Sequence, residues 1–133
     1  MRLEGKIGLV TAAGSGMGRA GAIRFAKEGA LVGVVDVDED AVGSVVSEIE
    51  ENGGRAKGIV ADLTTDADSK RIVTETAKYF NGLDFVWNHV GYPGPASVEG
   101  VEMDDFDLTL DLNLRTILIC LLYTSPSPRD SDQ

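Results

Sequence analysis

Two kinds of residue in this chain are spaced for chemistry. The first is a run of small residues, Thr11-Ala12-Ala13-Gly14-Ser15-Gly16-Met17-Gly18. Glycines there let a backbone turn sharply and approach a ligand without Cβ atoms in the way, and a helix starting at Gly16 aims its unpaired N–H groups and positive dipole end at that ligand. A diphosphate suits such a place. The second is Asp36, eighteen residues after Gly18 at the end of an apolar run. A carboxylate there can accept hydrogen bonds from both hydroxyls of an adenosine ribose, worth ~1.5–3 kcal/mol for bonds to a charged group. The same charge repels a 2′-phosphate, and neither Ser15 nor the neighbouring Val37 is basic. The expected ligand is therefore NAD in preference to NADP.

Three further positions carry polar groups where a buried chain must satisfy them. Asp62-Leu63 follows a third apolar run, with capping of the next helix as the plainer reading of the acid. Asn88-His89-Val90-Gly91 closes a fourth. His89, the only histidine, has no acid or nucleophile patterned around it and reads as structural. Asn113 lies in a leucine-rich segment.

These groups need elements to position them. Ile7 to Thr11 and Leu31 to Val35 are short and continuously apolar, as in strands of a parallel sheet covered on both faces. Between them Ala22, Phe25, Ala26 and Gly29 recur at helical spacing, with Gly29 as a stop. Asp38 is placed to cap a second helix with Val42, Val45, Val46 and Ile49 on its inner stripe. Ala56 to Ala61 reads as a third strand. The next helix carries Val73, Thr76, Ala77 and Phe80 and ends near Gly82, and Leu83 to Val90 reads as a fourth strand. Tyr92-Pro93-Gly94-Pro95-Ala96 is expected to be a stiffened loop at a substrate entrance.

One segment is ambiguous. Asp107 to Leu114 alternates like a half-buried strand, yet leucine favours helices and the alternation of strands and helices demands one here. A helix with Phe106, Leu110, Asn113 and Ile117 inward is expected, which buries the Asn113 amide. The whole is a doubly wound α/β fold: a Rossmann-type parallel sheet of about four strands in order 3-2-1-4 with four helices.

The 133 residues, 43% hydrophobic, suffice for one domain with a substantial core. A net charge of −10 and a pI near 4.4 disfavour nucleic acid and anionic membranes as partners. A single cysteine, Cys120, excludes an internal disulfide, and no Cys/His cluster offers a metal site. No apolar run approaches transmembrane length, so a cytoplasmic protein is expected.

Over residues 3–119 the chain resembles the N-terminal half of the short-chain dehydrogenase/reductase family. The family's TGxxxGxG loop is similar to Thr11–Gly18, with Ala12 in place of the first glycine. Its cofactor-selecting acid falls on Asp36, its adenine-contacting pair on Asp62-Leu63, its NNAG strand end on Asn88-His89-Val90-Gly91, and its active-site asparagine on Asn113. The resemblance implies an NAD(P)-dependent oxidoreductase moving hydride between nicotinamide and an alcohol or carbonyl substrate, in a parent that forms a homodimer or homotetramer. It implies cofactor contacts from Ala12, Gly14, Ser15, Gly16, Met17, Gly18, Asp36, Val37, Asp62, Leu63, Asn88, Val90 and Gly91. Asn113 would hold a water in a proton relay. The family's catalytic serine and Tyr-x-x-x-Lys have no counterpart, because Tyr123 is followed four residues later by Ser127. Residues 120–130 resemble one reading frame of a transposase-type sequencing-library adapter. The natural sequence is therefore expected to end at Ile119, with 120–133 a foreign tail outside the 1–119 domain. Two other readings compete: a dinucleotide-binding regulator without catalysis, and an S-adenosylmethionine-dependent methyltransferase, which also pairs a glycine loop with an acid.

Overall fold

A computed structural model describes residues 1–94 and 98–124. Four parallel strands, β1 (Ile7–Val10), β2 (Leu31–Asp36), β3 (Arg55–Val60) and β4 (Phe85–Trp87), lie in the order β3-β2-β1-β4. Helices α1 (Gly16–Lys27), α2 (Glu39–Glu51) and α3 (Asp66–Phe80) connect them. A last helical run follows β4: α4 (Met103–Leu110), a widened π turn (Asp111–Arg115) and α5 (Thr116–Thr124).

Each strand divides its side chains between two cores. Val10, Val32 and Val34 pack against α1 and α2 through Ala22, Ala26, Val42, Val45 and Ile49. Leu9, Val35 and Ile59 pack on the other face with Ile72 and Val73 of α3 and Cys120 of α5. Double coverage is why the two central strands, β1 and β2, read as unbroken apolar runs. The close fit depends on bare backbone: a Cβ on Gly33 would stand 2.6 Å from Thr76 Oγ1. Phe25 of α1 closes the first core edge-on to Phe85 and Trp87, at ring separations of 5.2 and 5.8 Å.

The expected helix starts and stops hold, with one change. Asp38 caps α2 by accepting from Ala41 N–H at 3.1 Å, and α1 gives way to Gly29 at φ +94°. Asp62 does not cap α3. Thr65 does, accepting from Asp68 N–H at 3.2 Å. The Asp62 carboxylate instead takes the backbone N–H and hydroxyl of Thr64, a tight local turn that the plain capping pattern did not separate from a helix start.

The fourth strand is shorter than the expected Leu83–Val90. Pairing reaches only Trp87, whose carbonyl accepts from both Thr11 N–H and His89 N–H, so the chain turns out of the ladder at Asn88. Among the described residues, the far edge of β4 pairs with no strand.

The ambiguous segment is helical, but it presents a different face. Leu112, Thr116, Ile119 and Cys120 turn inward, whereas Phe106, Leu110, Leu114 and Leu118 are exposed and Asn113 is exposed with them. The expected inner stripe was therefore misplaced. Leucine at every second position puts leucines on two opposite faces of a helix, so periodicity alone does not choose between them. The π turn then shifts the register further. The expected 119/120 boundary falls within α5, which runs through to Thr124, and Cys120 is fully buried in the second core. Pro95 and Ala96 of the expected entrance loop, and the tail from Ser125 onward, lie outside the described residues.

Candidate functional site

At the carboxyl ends of the strands a cleft of about 250 Å³ is lined by Ala12, Asp36, Val37, Ala61, Asp62, Leu63, Thr64, Val90 and Leu112. This is where open α/β sheets bind ligands, beside the point where the strand order reverses between β1 and β4.

The glycine loop forms one side. Ala13 N–H donates to Val35 O at 2.8 Å, tying the loop to β2, and Gly14 N–H donates to the Asp36 carboxylate at 2.9 Å. Gly14 permits that contact, because a Cβ there would stand 2.7 Å from the carboxyl carbon. Asp38 N–H binds the other carboxylate oxygen at 3.1 Å. Each oxygen keeps a further lone pair, so Asp36 is oriented and still able to accept two more hydrogen bonds. Gly18 lets the start of α1 press on the loop, since a Cβ there would stand 2.0 Å from Ala12 O. Gly16, at φ +57°, has nothing within 4 Å of the corresponding point and faces open space. Ser15 and Met17 are exposed beside it. Ala12, in place of glycine, nonetheless adopts φ +53°.

The loop after β3 forms another wall. Asp68 of α3 accepts from Asp62 N–H at 2.7 Å, and the Arg71 guanidinium pairs with Asp68 while donating to Val60 O. Those two donors, the Asp62 amide first, hold the Asp68 carboxyl below the usual carboxylate range.

The segment after β4 is fastened from both sides. Val90 N–H donates to Thr11 Oγ1 at 3.0 Å. His89 stacks on Trp87 at 4.9 Å and lies against the Gly18 turn, a packing role. Asn113 accepts from Tyr92 N–H at 2.8 Å and donates to Tyr92 O at 2.7 Å, satisfying its exposed amide at both ends. Gly91 leaves room for this, with a virtual Cβ 3.0 Å from Asn113 Oδ1. The Asn88 side-chain oxygen is buried with no hydrogen-bond partner among the described residues.

Ala12, Asp36, Val37, Asp62, Leu63 and Val90 thus meet around one cleft, while Asn113 stands outside its lining and acts on Tyr92. Sequence reasoning missed Ala61, Thr64 and Leu112. The first two adjoin residues that were singled out. Leu112 also adjoins a singled-out residue, Asn113, but the alternating leucine pattern around it does not say which leucine turns inward.

Comparisons with known proteins agree with this geometry. A model of the short chain dehydrogenase family matches residues 6–128. The 3beta-hydroxysteroid dehydrogenase of Mediterraneibacter gnavus is 38% identical over 120 residues, covering 90% of this chain and 44% of that protein. The BbsD subunit of (2S)-[(R)-hydroxy(phenyl)methyl]succinyl-CoA dehydrogenase from Thauera aromatica is 32% identical, covering 90% and 48%. Among solved structures, a short chain dehydrogenase from Burkholderia cenocepacia in complex with NADP superposes with a TM-score of 0.89 at 34% identity, over 93% of this chain and 51% of that one. A 7 alpha-hydroxysteroid dehydrogenase complexed with NADH and 7-oxo glycochenodeoxycholic acid gives 0.88 at 32%, over 92% and 48%. The chain spans about half the length of the relatives it matches. Glycine loop, strand-end acid and a family match over most of its length together place this chain in the short-chain dehydrogenase family.

Proposed function

We propose that residues 1–119 are the cofactor-binding half of an NAD-dependent oxidoreductase that moves hydride between nicotinamide and an alcohol or carbonyl substrate. The observation that carries this reading is the Asp36 carboxylate, oriented by Gly14 N–H at the cleft with acceptor capacity to spare. The residues present fit a dinucleotide in two further respects. The Gly16 face of the loop is open, and the buried Asn88 oxygen has no hydrogen-bond partner among the described residues.

In this reading the loop from Ala12 through Gly14, Ser15, Gly16 and Met17 to Gly18 holds the diphosphate. Asp36 and Val37 meet the adenosine ribose, Asp62 and Leu63 the adenine, and Asn88, Val90 and Gly91 the remainder. A bound nicotinamide dinucleotide supplies the hydride acceptor or donor. Asn113 belongs to the proton-relay end, where its side chain fixes the Tyr92 backbone and so shapes the mouth of the site. NAD is preferred over NADP because Asp36 opposes a 2′-phosphate.

The whole protein forms a homodimer or homotetramer, a reading supported by the exposed stripe of Phe106, Leu110, Leu114 and Leu118. It works in the cytoplasm, in keeping with the absence of any helix long and apolar enough to cross a membrane among the described residues. Calorimetric titration tests the function: the chain binds NADH and does not bind S-adenosylmethionine, which lacks the diphosphate that the helix start favours. Binding of S-adenosylmethionine without NADH would contradict it.

A further inference from the structure

The end of the π turn and the first residue of α5 are tied to the segments after β3 and β4 by three side chains in four residues. Asn113 holds Tyr92, as described. Arg115 donates two hydrogen bonds to the Asp66 carboxylate at the start of α3, at 2.7 and 2.6 Å. Both partners of that pair are exposed, so it adds little on its own. Thr116 differs, being only 1% exposed. Its hydroxyl lies 2.6 Å from Leu63 O and 2.7 Å from Asp111 O. One proton is thus shared between a carbonyl of the cleft loop and a carbonyl of the π turn.

The two joined segments both line the cleft, through Leu63 on one side and Leu112 on the other. Thr116 itself lies outside the lining. Because the site is buried, losing the hydroxyl leaves the Leu63 carbonyl, among the described residues, with only the longer bond from the Ser69 hydroxyl, at 3.4 Å, in a place water does not reach readily.

We propose that Thr116 is a positioning residue for dinucleotide binding: its hydroxyl locks the π turn to the loop after β3, so that Leu63 and Leu112 keep one arrangement around the cleft. The inference rests on reading that cleft as the dinucleotide site. It assigns the widened turn a purpose, since a regular helix would carry Leu112 and Thr116 at a different angle to each other.

The test measures affinity of the full chain for ADP-ribose, with thermal melts in parallel, for the wild type, Thr116→Val, Thr116→Ser and Ile49→Ala. Ile49 is buried in the first core beside Gly54, at the opposite end of the sheet from the cleft. Thr116→Val keeps the shape and removes the hydroxyl, and should weaken ADP-ribose binding roughly five- to tenfold. Thr116→Ser keeps the hydroxyl and should stay within about twofold of wild type. Ile49→Ala should lower the melting temperature at least as far as Thr116→Val with affinity held within about twofold. If Thr116→Val does not fold alone, it is measured on a Gly43→Ala background, a change at an open helical site. Wild-type affinity in Thr116→Val, or equal loss in Ile49→Ala, overturns the inference while leaving the dinucleotide reading standing. A folded wild type that does not bind ADP-ribose overturns the dinucleotide reading and this inference with it.

Discussion

Ala12 shows how single residues in the loop set the terms of the site. Its φ of +53° is a left-handed conformation in which a Cβ crowds the neighbouring carbonyl, at a cost of roughly 1–2 kcal/mol. The turn forms regardless, because Ala13 N–H is anchored to Val35 O and Gly14 N–H to Asp36 on its far side. Ala12→Gly should therefore stabilise the chain by about 0.5–1 kcal/mol, the strain relief less the extra entropy of glycine in the unfolded state. A urea midpoint that rises with unchanged slope is the expected result, and a midpoint that stays or falls contradicts the strain argument. Cys120 makes the opposite point about buried groups. Burial pushes its thiol up to about 11, so it stays neutral and unreactive wherever the fold is intact. The folded state holds that proton more tightly than the unfolded one, so this contribution is complete below the unfolded value and fades as pH rises toward 11.

At the level of elements, glycine spacing decides which backbones touch. Gly18 and Gly43 are both helical, and they predict opposite responses to alanine. A Cβ on Gly18 meets a backbone oxygen at 2.0 Å that cannot step aside, whereas one on Gly43 meets nothing within 4 Å. Gly18→Ala should cost at least about 2 kcal/mol and abolish dinucleotide binding, while Gly43→Ala should gain roughly 0.5–1 kcal/mol through helix propensity. Chemical denaturation of the pair checks both, and equal effects would show that α1 does not press on the loop as described. The same scale marks where sequence reasoning succeeds. The first two strands, the α2 cap and the glycine loop were readable because each rests on local chemistry: unbroken apolar runs, an Asp three residues before the N–H it caps, and small residues before a helix. The inner face of the last helical run was not. Leucines at 108, 110, 112 and 114 satisfy either face, and the π turn that turns Leu112 inward and leaves Asn113 exposed makes bonds to residues distant in sequence, such as that from Thr116 to Leu63 O. The short fourth strand has a similar cause, since the turn at Asn88 depends on Trp87 O being shared between Thr11 and His89.

Across the whole molecule, the cleft is assembled from five separate stretches: the glycine loop, the end of β2, the loop after β3, the segment after β4 and the π turn. Sequence showed four of these, because polar or glycine residues marked them. The fifth contains Asn113, which sequence did mark, but it lines the cleft through the apolar neighbour Leu112. The exposed leucine stripe of α4 and α5 stands close to the edge strand: α5 packs on β4, whose far edge pairs with no strand among the described residues. The central claim is that this cleft selects a dinucleotide through Asp36. It is tested most directly by measuring the affinities of the full chain for NADH and NADPH, in the wild type and in Asp36→Ala. The account predicts that the wild type binds NADH at least about tenfold more tightly, and that Asp36→Ala weakens NADH and strengthens NADPH until the two converge. Equal wild-type affinities, or a preference that survives Asp36→Ala, would contradict it.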